Sequence, residues 1–233
     1  KKVYRAIKNT NVTFLTIATE SFNYITKNIG YLKPKIVLEH NAINLDRFKN
    51  ASSAPILNQK LNIISIARLV NYKGHDLTIE VANRLKELKF NFFISIFGEG
   101  EERKSLQTLI NEKQLNDYVE LKGLTDHPEE ALVSSDIYFH PTKYEPFGLV
   151  LIEAMASGVP VITTDGQGNR DIIQDRVNGL FFSERNPNKI ADAIIEIKYS
   201  QDLREKLISN GRKYAEGFGI NTYCKKLEIL YNS

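Results

Sequence analysis

The chain has 233 residues, of which 42% are hydrophobic and 25% charged, and its net charge is +3. This composition is ordinary for a globular protein, and the length allows one large domain or one and a half small ones. The lysines are scattered, with no basic arm interleaved with aromatic residues, so we expect no nucleic-acid partner. No apolar run approaches the ~20 residues of a membrane span, and no signal peptide is visible.

The predicted elements begin with a strand at 12–18, a helix at 21–28 and a strand at 36–39. From residue 61 onward, short apolar strands alternate with helices. The strands are predicted at 61–67, 92–97, 118–121, 137–140, 159–163 and 179–182, and the helices at 74–88, 101–115, 128–134, 146–158, 170–174, 187–199, 202–218 and 221–231. This alternation predicts an α/β fold, a Rossmann-like doubly wound parallel sheet with ligands at the carboxyl ends of its strands.

Four parts are expected along the chain: a βαβ remnant at 1–45, a linker at 46–60, the Rossmann-like domain at 61–217 and a terminal helix at 218–233. The single cysteine, Cys224, excludes an internal disulfide framework, fits a reducing compartment and is expected to be buried in the last helix. The sequence opens in mid-pattern without methionine. We therefore expect a fragment that lacks a natural N-terminal part, with loss of a tag or initiator as the alternative.

The segment between Glu145 and Glu153 carries the strongest functional signal. Pro146 suits the first position of a helix, which places Glu145 near the N-cap. Three amides at this helix start then lack intrahelical partners and form an anion site, those of Phe147, Gly148 and Leu149. The two carboxylates are about 12 Å apart along a helix and about 80° apart around it, so each must serve a different part of one extended ligand. The alternative is a capping Glu145 and a solvated Glu153.

Further candidates follow the other strands at the same edge of the sheet. Arg68 and Lys73 are cations suited to a diphosphate, although a solvated loop is equally compatible with the pair. Gly98 opens a tight turn that brings backbone near a ligand, and the turn at Leu124 and Thr125 is a candidate edge for a base. The histidines show no metal-ligand spacing, no Asp-x-Asp pair is present, and we expect neither a metal nor a cofactor. His140, at the end of a strand, is expected to be structural.

Taken in order, these stretches resemble the C-terminal domain of the family-four, or group 1, retaining glycosyltransferases with the GT-B fold. The resemblance covers nearly the whole chain, and its most specific part is the run from His140-Pro141-Thr142 through Glu145-Pro146-Phe147-Gly148 to Glu153-Ala154-Met155-Ala156-Ser157-Gly158-Val159-Pro160. Arg68 with Lys73-Gly74, Gly98-Glu99-Gly100, Leu121-Lys122-Gly123 and Asn178-Gly179-Leu180 support the order and spacing.

The resemblance implies a role for each candidate. By this resemblance, Glu153 binds the ribose hydroxyls of a nucleotide sugar, and Glu145 lies by the transferred sugar. The nucleotide sugar is taken to be a UDP-sugar, because UDP is frequent in the family. Arg68 and Lys73 neutralise the departing diphosphate without a metal. The remaining donor contacts are expected from Gly98, Leu124, Thr125, Thr142, Pro146, Phe147, Gly148 and Leu149. The implied activity is that of a retaining hexosyltransferase making a surface glycan or glycolipid in the cytoplasm.

Some features depart from the family pattern. Residues 1–45 match only the last part of an N-terminal acceptor domain, so a glycan or lipid-linked acceptor and any peripheral membrane contact are expected to involve a missing domain, and the fragment alone is expected to be inactive. Gln167-Gly168 stands where two adjacent glycines are usual, and Arg170 is an uncommon neighbour. The alternatives are another GT-B enzyme, such as a nucleotide-sugar epimerase or a phosphorylase, and a nucleotide-sugar-binding module without chemistry.

Overall fold

The computed structural model describes residues 13–29, 35–49 and 60–232. Eight strands lie at β1 Thr13–Thr16, β2 Lys35–Leu38, β3 Leu61–Ile66, β4 Phe92–Phe97, β5 Val119–Gly123, β6 Ile137–His140, β7 Val161–Thr164 and β8 Leu180–Phe182. The α-helices of these ranges are α1 Thr19–Ile29, α2 Leu45–Lys49, α3 His75–Glu87, α4 Arg103–Glu112, α5 Pro128–Val133, α6 Leu149–Ala156, α7 Pro187–Tyr199, α8 Gln201–Ala215 and α9 Ile220–Tyr231.

Six strands form one parallel sheet in the order β5-β4-β3-β6-β7-β8, and β1 pairs with β2 in a separate parallel sheet. The predicted α/β fold is thus confirmed. From β3, the strands β4 and β5 follow one another toward one edge of the sheet. The next strand, β6, pairs with the other side of β3, and β7 and β8 follow toward the opposite edge. The direction reverses between β3 and β6, and in open α/β sheets the crevice at this reversal is where ligands bind.

The sheet is covered on both faces because its strands are apolar on both sides. Ile63 belongs to a core shared with α3, α4 and α7, whereas its neighbour Ile64 belongs to a second core shared with α5 and α6. Successive residues of a strand point to opposite faces, which explains how adjacent residues enter different cores. This two-sided burial fixes the strand ends and hence the loops that follow them.

Several local predictions differ from the structure. α2 and its buried Phe48 occupy the start of the predicted linker, because Phe48 packs into the core that contains α6; residues 50–59 of that linker lie outside the described ranges. The helix expected at 170–174 is a 3-10 turn, Gly168–Asp171. Cys224 lies on α9 as expected, but it is exposed and not buried. The whole helix lies at the surface, since none of its residues is buried.

The C-terminal segment contacts the N-terminal one directly. The amide of Ile43 donates to the carbonyl of Phe218 (2.8 Å), and the amide of Ile220 donates to the carbonyl of Ile43 (2.9 Å). α9 therefore starts beside the segment that joins β2 to α2. Within the described ranges, no helix combines the length and apolar character needed to cross a membrane.

Candidate functional site

Backbone hydrogen bonds tie the loops after β3, β4, β5 and β6 together at the carboxyl edge of the sheet. The amide of Leu69 donates to Glu99 (2.9 Å), that of Gly98 to Gly123 (2.8 Å), and that of Lys143 to Tyr72 (2.8 Å). Gly98 has φ +143, and a Cβ there would lie 1.9 Å from the carbonyl oxygen of Ala67. A side chain at Gly98 would therefore separate loops that the site needs in contact.

Glu145 lies at the carboxyl edge of the sheet and is held there by two side chains. Its Oε2 accepts from the Lys73 ammonium at 2.6 Å and from His140 Nε2 at 3.1 Å. The side chains of Lys73 and Glu145 are only 13% and 12% exposed, and His140 is fully buried. The structure thus joins two predicted site residues in an ion pair, and it adds His140, whose contact with a carboxylate the sequence did not reveal.

Hydrogen-bond donors, rather than solvent, keep Glu145 charged. Burial alone would raise the pKa of Glu145, but the hydrogen bonds from His140 and Lys73 outweigh burial and lower the pKa to about 2. Burial also lowers the pKa of His140, so its imidazole is neutral at neutral pH. Among the described residues, no donor reaches the other carboxylate oxygen, Oε1. One oxygen is therefore fixed by the protein while the second can accept a hydrogen bond from a ligand.

Tyr72, which the sequence analysis did not identify, links the two predicted cations Arg68 and Lys73. The Arg68 guanidinium donates to the Tyr72 hydroxyl, and the Arg68 and Lys73 charges each lie 5.6 Å from the centroid of its ring. An aromatic face within about 6 Å attracts a cation. The Tyr72 ring thus holds both positive charges at the loop that follows β3.

The helix start differs from the prediction. α6 begins at Leu149, its N-cap is Gly148 with φ 91°, and Pro146 lies outside the helix. A left-handed residue interrupts helical geometry, and glycine adopts it without a steric penalty. The 12 Å separation expected for one continuous helix therefore does not apply to Glu145.

Open amides nevertheless lie at this point of the chain. In the described part of the protein, no hydrogen bond is donated by four consecutive backbone amides, those of Phe147, Gly148, Leu149 and Val150. The last two belong to the first turn of α6, where the helix dipole adds partial positive charge. The amides of Phe147, Gly148 and Leu149 thus lack acceptors as predicted, and Val150 adds a fourth; anion binding at this point stays a prediction.

A second loop fixes the backbone of Glu145. The Glu145 amide donates to Gly166 (2.7 Å), and the Gly168 amide donates to the Glu145 carbonyl (2.9 Å). Between them, Gln167 adopts φ 68° and ψ −75°, and the Gly168 amide lies 3.0 Å from the Gly166 carbonyl. This is a strained γ-turn, rare for a residue with a side chain. Arg170 pairs with Asp165 within the same loop.

The aromatic side chain of Phe147 is buried. It stacks on the ring of His40, with centroids 4.8 Å apart and planes 15° apart, and it also lies 6.0 Å from the ring of Phe218. His40 belongs to the segment after β2, and Phe218 precedes α9. Residues distant in sequence thus hold the Pro-Phe-Gly run in place.

Glu153 lies on α6 and is half-buried. Burial raises its pKa, the charge of Arg47 on α2 opposes that rise, and the charge of Glu129 adds to it. Arg47 also pairs with Glu129 at 2.7 Å and donates to the carbonyl of Asp126 at 2.6 Å. Arg47 therefore connects the surroundings of Glu153 to the loop after β5, a link that the predicted linker boundary concealed.

The predicted base edge lies in that same loop. Leu124 is 77% exposed, and the Thr125 hydroxyl accepts from the amide of His127 at 3.1 Å. Thr142, by contrast, is fully buried, and its hydroxyl lies 3.1 Å from the Tyr72 carbonyl and 2.8 Å from the Tyr144 carbonyl. Thr142 thus ties two loops together, and its contact with a donor stays a prediction.

Comparison with known proteins assigns a family to this geometry. The sequence model of the family described as "Glycosyl transferases group 1" matches residues 46–214. A poly(ribitol-phosphate) alpha-N-acetylglucosaminyltransferase of Staphylococcus aureus is 30% identical over 230 residues, which cover 92% of this chain and 47% of that protein. A poly(glycerol-phosphate) alpha-glucosyltransferase of Bacillus subtilis is 27% identical over 75% of this chain and 26% of its own length.

Solved structures agree with the fold. A TarM mutant of S. aureus, crystallised with fondaparinux, alpha-GlcNAc-glycerol and UDP, superposes with a TM-score of 0.82 at 26% identity and covers 100% of this chain and 47% of its own. A glycosyltransferase of Rickettsia africae superposes with a TM-score of 0.84 at 21% identity, over 98% of this chain and 66% of its own. This chain spans about half the length of several curated relatives.

Proposed function

The chain belongs to the group 1 glycosyl transferases, and we propose that it forms the donor half of a retaining hexosyltransferase that uses a nucleotide-diphosphate sugar. The observation that carries this proposal is the Lys73–Glu145 ion pair beside the open amides at the start of α6. It brings a fixed ammonium from the loop after β3 to a fixed carboxylate and an anion site in the loop after β6. A sugar diphosphate offers hydroxyls and phosphate oxygens that match these groups in kind.

The sugar end is assigned to Glu145. Its Oε2 is occupied by Lys73 and His140, while Oε1 lacks a donor among the described residues. Hydroxyl groups of a hexose donate hydrogen bonds, and a bond to an ionised acceptor is roughly twice as strong as a neutral one. Because the pKa of Glu145 is lowered to about 2, this acceptor is charged at any physiological pH.

The diphosphate is assigned to the amides from Phe147 to Val150 together with Lys73 and Arg68. An ammonium has three N–H donors, and the ion pair with Glu145 uses one of them. Lys73 can therefore hold the carboxylate and a phosphate oxygen at the same time. Fixed donors that face developing negative charge are a major source of catalysis, and the departing diphosphate develops such charge.

The nucleoside is assigned to Glu153 and the loop of Leu124 and Thr125. Arg47 joins the surroundings of Glu153 to this loop through the Asp126 carbonyl, which supports the proposal that the ribose binds at Glu153 and the base at the exposed loop. UDP is the nucleotide we favour, since a structural neighbour at 26% identity was crystallised with UDP.

The proposed reaction keeps the anomeric configuration. An acceptor hydroxyl attacks the anomeric carbon from the face on which the diphosphate departs; the bond to the diphosphate oxygen breaks, and that oxygen takes the hydroxyl proton. Arg68 and Lys73 supply the positive charge in place of a metal ion. We propose a surface polymer or glycolipid as acceptor and the cytoplasm as compartment, supported by the names of relatives that act on poly(ribitol phosphate) and poly(glycerol phosphate).

Titration calorimetry of the full-length protein with UDP, GDP, ADP and 2′-deoxy-UDP tests the donor site. We expect one ribonucleotide to bind, with 2′-deoxy-UDP weaker by about tenfold, since an unpaired polar group costs about 1–3 kcal/mol. In Glu153→Gln this preference for the ribonucleotide shrinks, because a neutral amide oxygen is a weaker hydrogen-bond acceptor than a carboxylate. Glu145→Gln leaves UDP binding unchanged but weakens binding of the matching UDP-sugar.

The matched control is Glu130→Gln, an exposed glutamate on the neighbouring helix α5, which should alter neither affinity. Incubation of wild type with the UDP-sugar and a polyol-phosphate acceptor then tests for transfer with retained configuration. A folded full-length protein that binds no nucleoside diphosphate, or a ribose preference that is undiminished in Glu153→Gln, contradicts the assignment.

A further inference from the structure

Two buried aromatic side chains of β6 stand behind Glu145. Tyr138 and His140 are two residues apart, so they project from the same face of the strand, and both are fully buried. Their rings are nearly parallel, with centroids 5.9 Å apart and an interplanar angle of 21°. The Tyr138 hydroxyl lies 3.0 Å from His140 Nδ1, and His140 Nε2 lies 3.1 Å from Glu145 Oε2.

The proton positions along this row follow from counting donors. The His140 imidazole is neutral because burial lowers its pKa, and a neutral imidazole carries one N–H. The Glu145 carboxylate can only accept, so the N–H must lie at Nε2. Nδ1 is then an acceptor and needs the hydroxyl proton of Tyr138, whose pKa burial raises well above its ordinary value.

The other arrangement is unfavourable. The Tyr138 hydroxyl also lies 3.3 Å from the carbonyl oxygen of Ile66. Donation to Ile66 would require a proton on Nδ1, and Nε2 would then face the carboxylate as a second acceptor at 3.1 Å. An acceptor–acceptor contact inside a protein has no water to relieve it and costs free energy. Tyr138 therefore selects the tautomer that donates to Glu145.

We propose that His140, held in one tautomer by Tyr138, is a positioning residue that fixes Glu145 Oε2 and leaves Oε1 directed to the transferred sugar. This inference rests on the proposed function. His140 acts through Glu145 and does not itself touch the sugar. With Lys73 at 2.6 Å on the same oxygen, the carboxylate has two fixed donors and cannot rotate freely. A group aligned before the ligand arrives needs less reorganisation in the reaction.

Other titratable groups surround this row. Burial lowers the pKa of His75 on α3 to about 4, and protonation of the nearby His140 would lower it further. Glu153 on α6 interacts with Tyr138. A pH profile must therefore be read as a difference between variants that leave these groups unchanged.

The test uses sugar transfer by the full-length protein at pH 4–9 for wild type, Tyr138→Phe, His140→Leu and His140→Gln. We expect Tyr138→Phe and His140→Leu to lower kcat at pH 7 by about tenfold, the lower end of what loss of a supporting residue costs at metal sites. The KM for the donor should change less than kcat. Both variants should acquire an acid limb that wild type lacks above about pH 4, because a Glu145 with one donor fewer is protonated more easily. His140→Gln supplies a neutral N–H donor and should restore the wild-type profile.

Tyr214→Phe is the matched control, since it removes a tyrosine hydroxyl that donates to the Asp171 carbonyl at 2.8 Å but leaves the Glu145 donors in place. The ¹³C shift of the Glu145 carboxyl, titrated in each variant, reports the contact without any transfer. Wild-type transfer with unchanged pH profiles in folded Tyr138→Phe and His140→Leu overturns the role of His140 alone. Activity loss that only follows the folded fraction, as in Tyr214→Phe, overturns it too. Absence of transfer by wild type overturns the proposed function, whatever the carboxyl titration shows.

Discussion

Replacing Lys73 with methionine removes one donor from a carboxylate that is 12% exposed. The pKa of Glu145 is lowered from 4.5 to about 2, and each unit corresponds to 1.36 kcal/mol, so ionised Glu145 contributes about 3 kcal/mol of stability at neutral pH. Lys73 supplies part of this, while breaking a buried ion pair leaves a charge without a partner and costs about 3–5 kcal/mol. We expect Lys73→Met to lower the free energy of unfolding by about 2–4 kcal/mol at pH 7.

The pH dependence distinguishes this cause from lost packing. The pKa of Glu145 is lower in the folded state, so its contribution is complete above pH 4.5 and is lost as the pH falls toward 2. In Lys73→Met the loss occurs at higher pH, and the difference between the proteins shrinks once Glu145 is protonated in both.

Urea unfolding followed by far-UV circular dichroism measures these free energies in a chain that has no tryptophan. The control is Lys113→Met, whose partner Glu80 lies 3.0 Å away with 42% of its side chain exposed. An exposed pair of this kind contributes about 0–1 kcal/mol. Equal destabilisation by the two substitutions, or a Lys73→Met effect that is the same at pH 7 and pH 3, would refute the reasoning.

Three further changes test local features. Gln167→Gly should raise the free energy of unfolding by about 0.5–2 kcal/mol. It relieves a φ of +68°, which costs about 1–3 kcal/mol, and the extra conformational entropy of glycine in the unfolded chain offsets part of that gain. An unfolding midpoint in urea below that of wild type contradicts the strain. The folded-state pKa of His75 is lowered to about 4, so in wild type the free energy of unfolding falls as the pH drops from 6.5 to 4. His75→Leu should remove this pH dependence. Parallel curves of unfolding free energy against pH for the two proteins argue against it. Gly74→Ala should cost more than about 2 kcal/mol, because a Cβ at φ +73° would lie 2.1 Å from the Pro141 carbonyl; a thermal midpoint within a degree of wild type rules this out.

Prediction of the fold succeeded because its signals are local. The run Leu61–Ile66 has the length and apolar character of a strand that is buried on both faces. Strands of this kind that alternate with helices are typical of a parallel sheet with helices on both faces. The strand at Ile137–His140 and the helix at Pro187–Tyr199 have the predicted bounds. The bounds shifted where glycines or distant contacts intervene, as at Gly148, whose left-handed backbone delays α6 to Leu149.

The sequence by itself determined the fold class and the family resemblance, and it predicted a donor site from the spacing of a few residues, because periodicity and motif spacing depend on neighbours along the chain. Only the tertiary structure joined Lys73 to Glu145, placed His140 and Tyr138 behind that carboxylate, and stacked His40 on Phe147. These contacts depend on which strand ends meet at the reversal between β3 and β6 and on burial, which sets the protonation of each group. Strand order and burial arise from packing across the whole chain, so neither can be read from a local stretch of sequence.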